Sequence, residues 1–218
     1  MLNIFIGFDP RQIVSYTALH TSITMRCSKP VAITPLVLET LPITRRGLTP
    51  FTFSRFLCPW LCNYEGWSLF LDSDMLVLGD MSELFATAQD EYDVMVVKNP
   101  VKFEWASLML FNNAKCKVLT PEFVESGENP LNMNWAANIG ELPAEWNHCV
   151  GYDQLRTDAK LVHFTQGVPF WSETKDSEYA QDWLQDAQIS VSARPWQELM
   201  GNSVHAKKVY ERLSRKSA

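Results

Sequence analysis

The chain is short of several things, and each lack removes a class of function. No apolar run reaches the length that crosses a bilayer, and the Met1-Leu2-Asn3-Ile4-Phe5-Ile6 start has no basic segment ahead of a long apolar stretch. Neither insertion nor export is expected from such a pattern. The five cysteines, Cys27, Cys58, Cys62, Cys116 and Cys149, are odd in number, and no two are spaced as in a zinc ribbon or a Cys-x-x-Cys pair. Reduced, mostly buried thiols in a cytoplasmic protein are the expectation. Positive charge is also scarce: the formal net charge is −6, which excludes a dominant nucleic-acid surface. Only Lys207, Lys208, Arg212, Arg215 and Lys216 form a basic end. That end suits either a solvated helix terminus or weak contact with an anionic membrane surface. Internal repeats and low-complexity tracts are absent.

What remains is an ordered globular composition, 46% hydrophobic and 20% charged, in 218 residues. This is enough for one sizeable core and one domain spanning 1–218. Leu2 to Phe8 reads as a strand, Ile13 to Met25 as a helix, and Val31 to Leu38 as a second strand. Phe51 to Leu61 reads as a helix interrupted or ended near Pro59. Trp67–Leu71, Asp93–Lys98 and Ser107–Phe111 read as further strands, with a short acidic-capped helix around Ser82–Thr87. Strands alternating with helices predict an α/β fold, a mostly parallel sheet covered by helices on both faces. The second half is less regular. Pro121–Glu125, Leu131–Ala137, Tyr179–Asp186 and Trp196–Arg212 are helical candidates, and Leu161–Phe164 is a short strand. Eight tryptophans is a high count, and large aromatic residues serve cores more often than sugar clefts.

The chemistry concentrates in Asp72-Ser73-Asp74, which follows the apolar Trp67–Leu71 run and precedes Met75-Leu76-Val77-Leu78. Asp-Ser-Asp is also a serviceable turn, because short side chains accept bonds from nearby backbone amides. Two carboxylates set in such apolar sequence are expensive to bury unpaired, and a hard divalent cation relieves that cost. Ligands of an open α/β sheet bind outside the carboxyl ends of its strands. Asp9, the Asp72/Asp74 pair, Asn112 and His163 are all expected at that edge. His163 adds a nitrogen ligand to the two aspartates, which favours Mn²⁺, with Mg²⁺ as the alternative.

These segments resemble the retaining glycosyltransferases of family 8, the glycogenin and lipopolysaccharide galactosyltransferase group. Phe70-Leu71-Asp72-Ser73-Asp74-Met75 is similar to that family's Asp-x-Asp segment, and Ser107-Leu108-Met109-Leu110-Phe111-Asn112 to its apolar stretch ending in asparagine. Glu141-Leu142-Pro143-Ala144-Glu145-Trp146-Asn147 resembles its Leu-Pro-x-x-Trp-Asn element, and Val162 to Trp171 its His-Phe-x-Gly segment. The matches run in family order over residues 2 to 171.

The resemblance implies a GT-A fold, a nucleoside-diphosphate sugar donor (UDP in most members), and a metal held by Asp72, Asp74 and His163. It implies base and diphosphate contacts at Gly7, Phe8, Asp9, Tyr16, Ser73, Asn112 and Gly167, with Arg55 beside the donor. Residues 1–112 would then carry donor and metal, 113–175 the acceptor side and the metal-ligand loop, and 176–218 a helical tail. Where many members carry an acidic stretch near the reacting sugar, this chain has Leu131 to Asn138, so Asn132 and Asn134 are the candidates for contacting sugar hydroxyls. The implied activity is transfer of a hexose to a glycan or other hydroxyl acceptor, in the cytoplasm, with Trp135, Phe170 and Trp171 available to stack on the acceptor. The alternative is an inactive nucleotide-sugar or carbohydrate-binding protein. A nucleotidyltransferase or Nudix pyrophosphatase fits poorly, since neither a basic glycine-rich opening loop nor a Nudix glutamate helix is present.

Overall fold

A computed structural model describes residues 1–191. The Trp196–Arg212 helix candidate and the basic end at Lys207, Lys208, Arg212, Arg215 and Lys216 lie outside the described residues.

The main sheet has six strands: β1 (Leu2–Gly7), β2 (Val31–Leu36), β3 (Trp67–Leu71), β5 (Val94–Val96), β6 (Leu108–Asn112) and β7 (Ile139–Glu141). They lie in the order β2-β1-β3-β6-β5-β7. β1 runs parallel to β2 and to β3, and β5 parallel to β7, while β6 is antiparallel to both its neighbours. A smaller sheet joins β4 (Met75–Val77), β9 (Leu161–His163) and β8 (His148–Cys149) in the order β4-β9-β8. Helices α1 (Ile13–Arg26), α2 (Cys58–Leu61), α3 (Met81–Ala86), α4 (Pro121–Glu125) and α5 (Ala180–Val191) surround the sheets. Among the described residues no helix is long and apolar enough to cross a membrane.

The near-continuous apolar runs follow from burial of both faces of the main sheet. Side chains alternate along each strand. Ile4, Ile6, Leu69, Leu71, Leu108 and Leu110 therefore pack on one face, and Phe5, Phe70, Met109 and Phe111 on the other. A third cluster (Ala18, Leu76, Val162, Phe164, Trp183 and Ala187) clamps the small sheet between α1 and α5. An ion pair of 2.6 Å between Arg26 and the buried Asp186 ties those two helices together.

Two expected elements differ. Pro59 does not end a helix. It sits in the first turn of α2, where its missing N–H has no partner to lose, and a 3-10 turn at Ser54–Leu57 precedes it. Residues Leu131–Ala137 form no helix either. Asn129 caps a single 3-10 turn at Pro130–Asn132, and Met133 then turns left-handed at φ 57°, which stops propagation. Of the tryptophans in the described residues, Trp146 and Trp183 are core and Trp171 is 39% exposed.

Candidate metal and donor site

β3 ends at Leu71, and Asp72-Ser73-Asp74 crosses from the main sheet to β4 of the small one. Two backbone anchors hold the crossing: the Asp72 N–H donates to the Ser107 carbonyl at 2.9 Å, and the Phe164 N–H donates to the Asp74 carbonyl at 2.9 Å. The β4–β9 ladder pairs Met75 with His163, so the residue before β4 lies beside the last residue of β9. Asp74 Oδ1 is 3.4 Å from His163 Nε2 as a result. One ligand atom from each of Asp72, Asp74 and His163 lies within 4.8 Å of the others. The structure thus brings together the three residues expected to hold a metal.

The electrostatics of this cluster are unbalanced. Asp72 Oδ1 and Asp74 Oδ1 are buried and have no hydrogen bond among the described residues. Arg55 Nη1 stands 3.1 Å from Asp72 Oδ1, but that nitrogen is aimed at the Ala106 carbonyl at 2.7 Å. Burial, the largest influence, pushes the Asp72 carboxyl up to about 7; Arg55 opposes this and Asp74 adds to it. Burial alone would lower the His163 imidazolium, yet the charge of Asp74 beside it holds it well above its ordinary value. Unbonded carboxylate oxygens facing a ring nitrogen in a space of this size form a donor set that suits a divalent cation.

Arg55 is 7% exposed and lies over the Phe70 ring at 4.8 Å, behind Asp72. Ser73 is buried between the two aspartates. Gly167 has φ +108°, a conformation that favours glycine, and its N–H closes a turn on the Phe164 carbonyl. At Gly7 a Cβ would come within 2.4 Å of the Phe51 ring, so packing also requires glycine there. Phe8 and Tyr16 meet edge to face at 5.6 Å. Asp9 is buried, and both its oxygens are taken by the backbone and guanidinium of Arg11, which hold its carboxyl below the usual range. Beyond Asp9, on the same edge as the cluster, lies a cavity of 370 Å³ lined by Arg11, Glu39, Arg46, Leu48 and Thr49.

Two expectations are corrected. Asn112 does not join the others: β6 is antiparallel, its last residue pairs with Trp67 at the start of β3, and its amide donates to the Asp90 carbonyl. Asn132 and Asn134 are exposed and lie on the same loop as Trp135. Trp135 stacks on Phe111 at 6.0 Å and gives its N–H to the Pro130 carbonyl, so its ring is part of the core cover. The same strand reversal explains what sequence reasoning missed. The amino end of β6 lies beside Leu71, so the turn before β6 reaches the site, and it delivers Glu104. Glu104 is 7% exposed and stands 3.6 Å from His163 Nδ1. No motif marks it; only the direction of β6 could have.

No protein-family model matches the chain. Protein CDI of Arabidopsis thaliana is 35% identical over 221 residues, covering 84% of this chain and 85% of that protein. Among solved structures, the apo WbbM bifunctional glycosyltransferase superposes with a TM-score of 0.67 at 16% identity, over 91% of this chain and 51% of that one. The glycosyltransferase GlyE of Streptococcus pneumoniae gives 0.65 at 18% identity, over 86% and 61%. This chain therefore spans about half to three-fifths of those two. The galactosyltransferase LgtC, solved with donor and acceptor sugar analogues, gives 0.59 at 12% identity over 89% of this chain and 98% of that one. At such identities the likeness shows the fold, a GT-A-like glycosyltransferase architecture.

Proposed function

The chain belongs to the family of Protein CDI of Arabidopsis thaliana, and for it we propose a metal-dependent retaining glycosyltransferase of the family 8 type, moving a hexose from a UDP-sugar to an acceptor hydroxyl. The observation that carries this reading is the Asp72–Asp74–His163 cluster at the carboxyl edge of a glycosyltransferase-like sheet. In this reading the three residues hold Mn²⁺, or Mg²⁺ in its place. The bound ion would supply Lewis-acid neutralisation of charge on the departing diphosphate.

The chain's own residues do the rest. Arg55 keeps Asp72 in place and adds positive charge behind it. The Gly167 turn and the buried Ser73 put backbone beside the diphosphate with little side chain in the way. The cavity beyond Asp9 takes the nucleoside, with Arg11 and Arg46 on its wall, and the Phe8–Tyr16 pair contacts the base. The acceptor oxygen bonds to C1 on the face that the leaving phosphate occupies. The C1–O bond to phosphate breaks, and the acceptor proton passes to a phosphate oxygen of the departing nucleotide. No protein base is required, which accords with the lack of a carboxylate from Leu131 to Asn138. The acceptor is a glycan or another hydroxyl compound, placed against Phe170 and Trp171, which are exposed and meet edge to face at 5.3 Å. Five free cysteines fit a cytoplasmic enzyme.

Titration calorimetry with UDP and Mn²⁺ tests the assignment. The Asp72→Asn, Asp74→Asn double variant should lose metal-dependent binding, and equal binding by both proteins sinks it. The lack of an acidic residue from Leu131 to Asn138 favours one other reading, a binder without transfer. Slow hydrolysis of the donor sugar in the absence of acceptor separates the two, because a pure binder leaves it intact.

A further inference from the structure

We propose that Glu104 is the positioning residue of the metal site: it holds the His163 ring through Nδ1 and so presents Nε2 to the cation. This rests on the reading of Asp72, Asp74 and His163 as ligands. The two nitrogens of His163 face different groups. Nε2 faces Asp74 at 3.4 Å, on the ligand side. Nδ1 faces Glu104 Oε2 at 3.6 Å and Cys149 Sγ at 3.9 Å, on the far side. A ligating histidine almost always gives its second N–H to a carboxylate, carbonyl or water, which fixes the ring's tautomer and angle. Of the two candidates here, the thiol is in hydrogen-bond contact and the carboxylate stands just beyond it, and a carboxylate that closes from 3.6 Å makes the stronger, charge-assisted bond.

Glu104 is otherwise hard to explain. It is 7% exposed, and the His163 ring is its ion-pair partner among the described residues. Burying an anion in that state is costly unless a partner is supplied. Its backbone is fixed, since the Ser107 hydroxyl donates to the Glu104 carbonyl at 2.6 Å and the Asn147 amide donates to that hydroxyl at 3.0 Å. His163 is fixed as well, through its ladder pair with Met75 and the Val150 N–H on its carbonyl. Only the ring's rotation is left to set, and Glu104 is where the chain sets it.

The test is titration of the full chain with Mn²⁺ alone, followed by nitrogen-15 spectra of the histidine rings in the Zn²⁺-loaded protein. Glu104→Ala should weaken Mn²⁺ binding by about 10–100-fold. Glu104→Gln, which keeps the shape and an acceptor oxygen, should recover most of that loss and guards against a folding artefact. In the wild type the His163 signal, assigned with His163→Gln, should show a protonated Nδ1 and a ligated Nε2; in Glu104→Ala the two ring forms should mix. Cys149→Ala should change neither readout. Asp74→Asn abolishing Mn²⁺ binding while Glu104→Ala leaves affinity and ring form unchanged overturns this inference and spares the metal site. The ring form moving with Cys149→Ala instead gives the role to the thiol. A wild type that binds no metal overturns both.

Discussion

The two ends of the main sheet both carry polar side chains and are opposite in character. At the amino end of β3, the side chains of Ser68, Asn113 and Asp93 have found partners in the chain. Asn113 accepts from Ser68 and donates to the Glu65 carbonyl, and Asp93 Oδ2 accepts the backbone N–H groups of Ala137 and Asn138 at 2.7 and 3.0 Å. At the carboxyl end, Asp72, Asp74 and Glu104 converge with His163, and two carboxylate oxygens go without a hydrogen bond. Satisfied polar groups stabilise a fold, while unsatisfied buried ones weaken it and are kept where something else binds them. Polarity alone does not distinguish a site from a brace. Among the described residues, buried carboxylate oxygens that lack a hydrogen bond occur only at the carboxyl end.

That contrast can be broken most sharply at the carboxyl end. Replacing Asp72 and Asp74 together by asparagine should reduce Mn²⁺-dependent UDP affinity by a hundredfold or more, about 2.7 kcal/mol, read by calorimetry. The thermal midpoint should change little, because relief of the burial cost of two carboxylates offsets the loss of their ion pairs with Arg55 and His163. A large fall in midpoint would make the pair a brace like the other end. Next in size is the converse experiment. Asp93→Ala removes two charge-assisted hydrogen bonds and should cost about 2 kcal/mol, a drop of about 4–8 °C in midpoint. Mn²⁺ affinity should stay within about threefold.

A smaller effect comes from Asp80, which caps α3 by accepting from the Ser82 N–H and also takes the Ser28 N–H. The Ser28 side chain, with these backbone bonds behind it, holds its carboxyl below the usual range. A depressed folded-state value gives stability that is present above the unfolded value, 3.8, and is lost as pH falls below it towards the folded one. Asp80→Ala should therefore cost about 1 kcal/mol at pH 7, with the difference from wild type shrinking in denaturant melts run below pH 4. A difference independent of pH would rule out the charge as the cause. The smallest change is expected from Trp171→Ala: UDP affinity within about threefold, under 1 kcal/mol, and a raised acceptor KM or lowered turnover. A hundredfold loss of UDP binding would put Trp171 in the donor pocket.

Much of the carboxyl end is legible in the sequence, and the reason is local. Asp72-Ser73-Asp74 follows a strand in the chain itself, and His163 ends another, so each announces its place without tertiary information. The opposite end misleads for a reason that is not local. Asn112 also ends a strand, but β6 is antiparallel, and strand direction is a property of the whole sheet. The same reversal hides Glu104, which precedes its strand. Between Leu131 and Ala137 the spacing of apolar residues imitates a helix, while Met133 at positive φ and the Trp135 bond to Pro130 make a folded-over loop.

The pairing of β4 with β9 has a consequence for how the protein is made. Met75 and His163 are far apart in the chain, and contacts of that kind form late because loop closure must be met before the contact rewards it. During synthesis, Asp72 and Asp74 leave the ribosome well before their histidine does. Until Leu161 arrives, β4 offers an unpaired edge of Met75, Leu76 and Val77, all fully buried in the finished fold. Exposed apolar edges of this type are where nascent chains pair with one another. The arrival of β9 covers that edge and completes the Asp72–Asp74–His163 cluster in the same event, so a chain cut short of it would be sticky and would lack the cluster's histidine.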